Sequence, residues 1–301
     1  MKLRILTEAS GSLTSGYLIK AIQQAGALCV ASDIDPECFG RHLADDFILM
    51  LKHSDPLFWS DIENKLLEHE ITMVIPSLDE TLSDWSERKS SLLQKGVHVI
   101  ISEAETIRIF RDKWLTYQFF RGANIPTPET SLEQRYPLVK PRFGRGAVGV
   151  KVTSDAINMH NMVSQELVEG TEYTIDVFCD HDGVPIYIIP RTRMGVREGK
   201  STGGLVVKHL GIIDLVKRIC SHVRFQGPIN MQCFDCIDGS IKFIEINARI
   251  AGGMALGFAA SENWIGLIID HFLEGKKISP KPILDGMVMK RFYAEIFISQ
   301  D

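Results

Sequence analysis

Apolar and polar positions along this chain follow two different rhythms. Over the first hundred residues, short apolar runs lie at 3–6 (LRIL), 28–32 (LCVAS), 46–49, 73–77 (MVIPS) and 97–101 (VHVII). Between them, residues 15–25, 56–69 and 80–95 carry the 3.6-residue period of amphipathic helices. Gly26 sits where a helix C-cap is expected. Strands alternating with helices predict a parallel, doubly wound sheet. A helix is predicted over 104–122, ending at Gly122, and IPTPE makes an extended connector, because proline disfavours helix in the residue before it. After that a period of two dominates, predicting strands at 136–140, 148–152, 164–168, 172–180 and 185–193, with helices at 154–163, 211–223 and 261–274. The fold class is therefore α/β followed by α+β, with divisions at 1–103, 104–182 and 183–301.

The stretch 227–253, GPINMQCFDCIDGSIKFIEINARIAGG, carries the most chemistry. Asp238-Gly239 is a strong hairpin signal and predicts a two-residue turn. That turn sets Ile237 opposite Ser240, Gln232 opposite Glu245 and Asn230 opposite Asn247. Opposed residues on antiparallel strands share a face, so Asn230, Gln232, Glu245 and Asn247 line up, with Arg249 next. A carboxylate flanked by amide oxygens suits a hard divalent cation, with Mg²⁺ shared with phosphates the expected ion. The alternative is a polar, solvent-facing side of a sheet. On the other face Cys233, Phe243 and Ile244 do not alternate cleanly. Cys233 and Cys236 form C-x-x-C, but residues three apart on a strand point to opposite faces, so they read as packing residues. No histidine pair has metal-site spacing.

Between two predicted strands lies PRFGRGAV, with Gly144, Gly146 and Gly149 in a literal G-x-G-x-x-G. The dinucleotide version of that motif must open a helix, whereas here β-branched VGVKV follows. A glycine flap bearing Arg142 and Arg145 beside Lys140 suits closure over a polyphosphate. Lys140, ending a buried strand, is costly unless an anion meets it. The competing reading is an exposed hairpin with solvated arginines. In the first lobe, EASGSLTSG lacks the dinucleotide spacing, although Asp33 ends the second strand; substrate contact from Ser10–Ser15 fits better there.

Composition narrows the classes. At 301 residues, 45% hydrophobic, 24% charged and net charge -5, the chain reads as a soluble globular protein without a broad nucleic-acid surface. No apolar run approaches the roughly 18–20 residues of a membrane span, and the start does not read as a signal peptide. Six scattered cysteines fit a reducing cytoplasm.

Taken together, ILTEASGSLTSGYLIKAIQQAG, RDKWLT with IPTP, the glycine flap and IEINARIAGG resemble the ATP-grasp superfamily, and within it single-unit proteins similar to the synthetase half of carbamoyl phosphate synthetase. The resemblance implies a pre-ATP-grasp, Rossmann-like lobe at 1–103, an ATP-grasp small subdomain with the flap at 104–182, and a C-terminal subdomain with the metal site at 183–301. It implies an ADP-forming carboxylate–amine or carboxylate–ammonia ligase that uses ATP and one or two Mg²⁺, with Mn²⁺ a substitute. Lys113 and Lys140 resemble the cations that contact ATP phosphates, with Arg142, Gly144 and Gly146 on the flap. Glu166 and Val168 resemble the hinge that offers backbone groups to adenine, and Glu172 the residue that takes the ribose hydroxyls. Gln232, Glu245 and Asn247 resemble the metal ligands, and Arg249 the residue that stabilises the acyl phosphate. Arg191 and Arg193 resemble a basic strand facing the γ-phosphate or a substrate carboxylate, with a solvated strand edge as the alternative. Ala248 stands where many relatives have proline. Small-molecule carboxylate and amine partners follow, with no nucleic acid and no membrane, and a homodimer is compatible. Carbamoyl-phosphate-type phosphorylation and a non-catalytic ATP-binding regulator are the rival functions. The acceptor pocket is expected at 10–16, 76–81, 191–204 and 250–258, with 193–204 a mobile loop over an anionic substrate.

Overall fold

A computed structural model of the chain describes residues 2–197, 200–292 and 294–298. By contact the chain forms two units: Met1–Ile101 with Glu262–Ile278 and Arg291–Asp301, and Ser102–Ser261 with Ser279–Lys290. The first unit runs β1 (Arg4–Thr7), α1 (Gly16–Gln24), β2 (Leu28–Asp33), α2 (Gly40–Leu43), β3 (Asp46–Leu49), α3 (Phe58–Glu68), β4 (Met73–Ile75), α4 (Leu82–Gln94) and β5 (His98–Val99). Its parallel sheet has the order β3-β2-β1-β4-β5. Ile5, Leu6, Cys29, Val30, Ala31, Met73 and Val74 are buried without alternation, the pattern of strands covered on both faces.

The strand order reverses between β1 and β4, and sheets of this kind take ligands at such a crevice. Here Glu8, which directly follows β1, reaches across to the segment that follows β4. The buried Glu8 carboxylate accepts from Ser77 N (3.1 Å), Leu78 N (3.3 Å), Thr81 Oγ1 (2.9 Å) and Trp85 Nε1 (2.9 Å). Burial pushes its pKa up, and those four donors pull against the rise. Asp33, the residue a dinucleotide reading would assign to ribose, accepts instead from Gly11 N at 2.7 Å.

The second unit opens with α5 (Ala104–Arg111) and α6 (Lys113–Gly122). The continuous helix expected over 104–122 breaks at Asp112, which leaves helical backbone (φ -106, ψ 113) so that its carboxylate can cap Trp114 N. Four strands follow, β6 (Thr130–Ser131), β7 (Leu138–Pro141), β8 (Lys151–Val152) and β9 (Met162–Gln165), in the antiparallel order β6-β9-β7-β8. The strand expected at 148–152 shrinks to its last two residues, leaving a longer flap. The helix expected at 154–163 does not form. Thr153 and Asn158 side chains accept from the N–H groups of Asp155 and His160, and Asn161 adopts φ 56; polar side chains thus take the backbone donors a helix would need.

The larger sheet is built from β10 (Gly170–Cys179), β11 (Pro185–Arg197), β12 (Lys200–Val206), β13 (Gly227–Cys236), β14 (Ile241–Asn247) and β15 (Val288–Lys290), in the antiparallel order β14-β13-β10-β11-β12-β15. Helix α7 (Leu210–His222) packs on β11, while α5 and α6 pack on β14. After β14 come a 3₁₀ turn (Gly252–Met254), α8 (Ala255–Ala260) and α9 (Trp264–Ile268). The single helix expected at 261–274 is shorter: Asn263 caps α9 through Ile265 N, and a π-turn (Ile269–Leu273) ends it. The segment 193–204 is not an open loop in the described residues, since Arg193 pairs with Gly204 and Arg197 with Lys200; residues 198 and 199 lie outside the described residues.

Replacing Glu8 by glutamine is expected to lower stability by about 1–3 kcal/mol, because an amide NH₂ would face two donors in place of a carboxylate oxygen that accepts from both. Urea unfolding of Glu8→Gln against the parent chain measures it, and equal midpoints would contradict it.

Candidate active site

The hairpin of β13 and β14 differs from its expected geometry at two points. Gly239 N donates to Cys236 O and Cys236 N to Ser240 O, so the connection is a three-residue loop over 237–239, with Gly239 at φ +81. This shifts every pair near the turn by one: Cys233 pairs with Phe243, and Phe234 with Lys242. A bulge at Ile244 then restores the count, and Gln232 pairs with Glu245 and Asn230 with Asn247 as the sequence predicted. The bulge also explains the broken alternation, since Phe243 and Ile246 are buried together with Met231 and Cys233 while Ile244 is the extra residue. Cys233 and Cys236 are both free.

Strand register carries this polar row across the sheet. Thr174 on β10 pairs with Gln232 on one side and Arg191 on the other, giving one row: Glu245, Gln232, Thr174, Arg191. The adjacent row reads Asn247, Asn230, Asp176. The reverse face, with Ile175, Val177, Ile229 and Met231, is core. A sheet that buries one face on helices thus leaves a continuous polar stripe on the other.

Lys140, the penultimate residue of β7, is 6% exposed; its Nζ donates to Gln165 Oε1 at 2.9 Å. Burial lowers its pKa to about 8, the charge of Glu245 pulls upward, and Lys113 pushes downward. Lys140 therefore lies within electrostatic reach of the carboxylate on β14 without being ion-paired to it. Lys113, at the start of α6, donates from Nζ to Gly144 O at 2.9 Å, tying the helix to the flap. Arg142 folds back onto Asp112, donating from Nε at 3.0 Å and closing the fork with NH2; this pair raises the guanidinium's pKa. The flap is exposed between Phe143 and Val150, with Gly144 at φ +138, Gly146 at +63 and Gly149 at +76.

The link from β9 to β10 holds Glu166 and Val168. The Glu166 carboxylate takes Lys242 Nζ at 2.9 Å and Glu129 N at 3.2 Å, and the lysine's hydrogen bond holds it below its ordinary pKa. Glu172, early on β10, pairs with Arg193 NH1 at 3.0 Å. Arg191 is 2% exposed and bidentate with Asp176, at 2.8 Å from Nε and 3.1 Å from NH2. Arg249 donates to Ile250 O at 3.2 Å and to Asn247 Oδ1 at 3.4 Å.

The donor set fits Mg²⁺. Glu245 supplies a carboxylate and Gln232 and Asn247 amide oxygens, all hard ligands. Among the described residues, neither the Glu245 carboxylate nor the Gln232 amide has a side-chain hydrogen-bond partner, and no group of three or more His, Cys, Asp and Glu gathers elsewhere. With a single carboxylate, remaining coordination must come from phosphate oxygens and water, the usual arrangement for Mg²⁺.

Sequence reasoning missed Asp112, Gln165, Asp176 and Lys242. Asp176 was within reach, because Glu172, Thr174 and Asp176 alternate along one strand. The others act through pairings between distant segments.

A family model described as "ATP-grasp in the biosynthetic pathway with Ter operon" matches residues 158–293. The 3-methyl-D-ornithine–L-lysine ligase of Methanosarcina barkeri is 26% identical over 272 residues, covering 87% of this chain and 70% of that protein. The carbamoyl phosphate synthase large chain of Methanothermobacter thermautotrophicus is 24% identical over 205 residues, 56% of this chain and 19% of that one. Among solved structures, the biotin carboxylase domain of Hydrogenobacter thermophilus 2-oxoglutarate carboxylase, crystallised as a dimer with MgADP and bicarbonate, superposes with a TM-score of 0.71 at 16% identity, covering 94% of this chain and 72% of that one. No helix among the described residues is long and apolar enough to cross a membrane. Residues 158–293 thus match an ATP-grasp family model, and the chain as a whole, an α/β lobe followed by antiparallel sheets, has the fold of that biotin carboxylase domain.

Proposed function

We propose that this chain is an ADP-forming carboxylate–amine ligase that uses ATP and Mg²⁺ and acts through an acyl phosphate. The observation that carries the reading is Lys140: a buried ammonium held only by a neutral amide, facing a row whose sole carboxylate is Glu245. A buried cation without a directly paired anion is costly, and a polyphosphate supplies that anion.

In this reading Lys140 and Lys113 hold the β- and γ-phosphates, and the flap with Gly144 and Gly146 excludes water while Arg142 anchors its base to Asp112. Backbone groups of Glu166 and Val168 take adenine, and the Lys242 ion pair fixes that hinge. Glu172, oriented by Arg193, takes the ribose hydroxyls. Gln232, Glu245 and Asn247 would hold Mg²⁺, which when bound neutralises charge developing on the transferred phosphoryl group. Arg249 lies next to Asn247 and faces the acyl phosphate. The amine nitrogen attacks the activated carbonyl carbon, the C–N bond forms as the C–O bond to phosphate breaks, the nitrogen loses a proton, and inorganic phosphate leaves. The two amino acids in the name of the M. barkeri relative support amino acids as the carboxylate and amine partners here. Six free cysteines fit a cytoplasmic setting, and the dimeric neighbour supports a homodimer.

A panel of amino acids and small acids, screened for ATP-dependent phosphate release, is expected to contain at least one substrate pair that drives turnover. With that pair, Glu245→Gln should lose on the order of 10²-fold or more in kcat; turnover at the parent rate would overturn the metal assignment.

Lys140 gives a pH signature. Because its pKa in the free protein is about 8, the ammonium is increasingly neutral above that pH, and bound phosphate must restore the proton. MgADP affinity by titration calorimetry should therefore fall as pH rises through 8 to 9.5, with proton uptake on binding. Lys140→Met should bind weakly with a flat profile, and equal pH dependence in both proteins would contradict the role.

A further inference from the structure

Arg191 lies in the same row as Glu245 and Gln232, yet its charge is spent inside the protein. Its guanidinium is 2% exposed and forms both hydrogen bonds with the fully buried Asp176, at 2.8 and 3.1 Å. Asp176 also accepts from Asn230 Nδ2 at 2.8 Å, and Asn230 pairs with Asn247 across the hairpin. One carboxylate thus fastens β11 and β13 to β10. The roof over this group is the backbone that follows Arg249. A Cβ built on Gly253 would lie 2.3 Å from Arg191 NH2 and 3.0 Å from Cζ, and one on Gly257 would lie 3.0 Å from Asp176 Oδ2. The segment has no room for side chains at these two places because the ion pair presses against its backbone.

We propose that Asp176, Arg191 and Asn230 form a positioning network that sets the segment from Arg249 to Gly257, and that Arg191 acts through this segment without touching nucleotide or substrate. The argument rests on the ligase reading only for what Arg249 does there. A long, flexible arginine normally yields to a new methyl group. This one cannot, because its bidentate hydrogen bonds to a carboxylate, itself held by Asn230, fix the plane of the fork. A shift of the guanidinium therefore displaces Gly253, four residues from Arg249, and the loop that leaves the metal floor. Small displacements of a charge-stabilising group lower kcat far more than they weaken substrate binding. Asp176→Asn keeps the shape but loses one acceptor and places an amide NH₂ against the arginine fork, so it should mimic the loss of Arg191.

The test is a mutant cycle of Gly253→Ala and Arg191→Lys, read by kinetics, by thermal unfolding and by MgADP calorimetry. Gly253→Ala alone should lower kcat by about 10²-fold, but by under about threefold when added to Arg191→Lys, since the shorter, single-point lysine leaves room for the methyl group. Unfolding midpoints should show the same non-additivity. MgADP affinity should stay within about threefold of the parent in Arg191→Lys and Asp176→Asn, while kcat falls in both. Additive effects, or a more than tenfold loss of MgADP affinity in Arg191→Lys, would overturn the network and return Arg191 to the ligand. A parent chain with no turnover on any amino acid would instead defeat the ligase reading. The unfolding cycle and MgADP affinities would still decide whether Arg191 is pinned or touches nucleotide.

Discussion

The candidate site depends on one strand register, and that register is reached by two irregularities that cancel. A three-residue loop at 237–239 moves β14 one position along β13, and the bulge at Ile244 moves it back. Because side chains alternate with period two, an uncorrected shift of one would send Glu245 and Asn247 to the core face and bring their apolar neighbours to the polar side. A bulge costs a ladder hydrogen bond and adds local twist, so its presence beside the carboxylate marks the place where alignment matters most. The apolar residues on the reverse face enforce the same outcome: Phe243 meets Phe120 of α6, with ring centroids 6.1 Å apart, and Ile246 is buried.

With the register fixed, the polar stripe divides into two functions by burial. Toward β14 the side chains are partly open and weakly committed: Glu245 and Gln232 have no side-chain hydrogen-bond partner among the described residues. Toward β11 they are sealed and mutually satisfied, with Arg191, Asp176 and Asn230 all at or below 3% exposure. A sealed, hydrogen-bonded ion pair contributes little net stability against a hydrophobic alternative, but its geometry is stiff. That stiffness suits a platform, whereas the open groups suit a ligand. Lys140 stands between these extremes, buried like a structural group but paired only with the neutral Gln165.

Much of this was legible in the sequence, and the gaps have physical causes. Alternation of β and α segments identified the first lobe, and IEINARIAGG with Gln232 carried the resemblance that the family match over 158–293 bears out. Local competition defeated several element boundaries. Asp112 preferred to cap one helix over continuing another, and Thr153 and Asn158 captured the donors that a helix at 154–163 required. The correct opposition of Gln232 and Glu245 was obtained from the wrong turn, because loop length and bulge compensate and only the backbone hydrogen bonds separate the two routes. Partnerships across long separations, such as Lys242 with Glu166 or Asp176 with Arg191, leave no local pattern beyond the alternation of Glu172, Thr174 and Asp176. The same holds in the first lobe, where Glu8 just after β1 accepts from four donors some seventy residues away at Ser77, Leu78, Thr81 and Trp85.

In the proposed reading Gln232, Glu245 and Asn247 would form a divalent-ion floor with a single carboxylate, which would need help from phosphate to hold its ion well. That dependence is the centre of the account and can be measured without knowing the substrate. Binding of Mn²⁺, followed by electron paramagnetic resonance with and without ADP, should be weak for the chain alone and strongly enhanced by the nucleotide, and Glu245→Gln should abolish the enhancement. Tight Mn²⁺ binding without nucleotide, or full enhancement in Glu245→Gln, would contradict it.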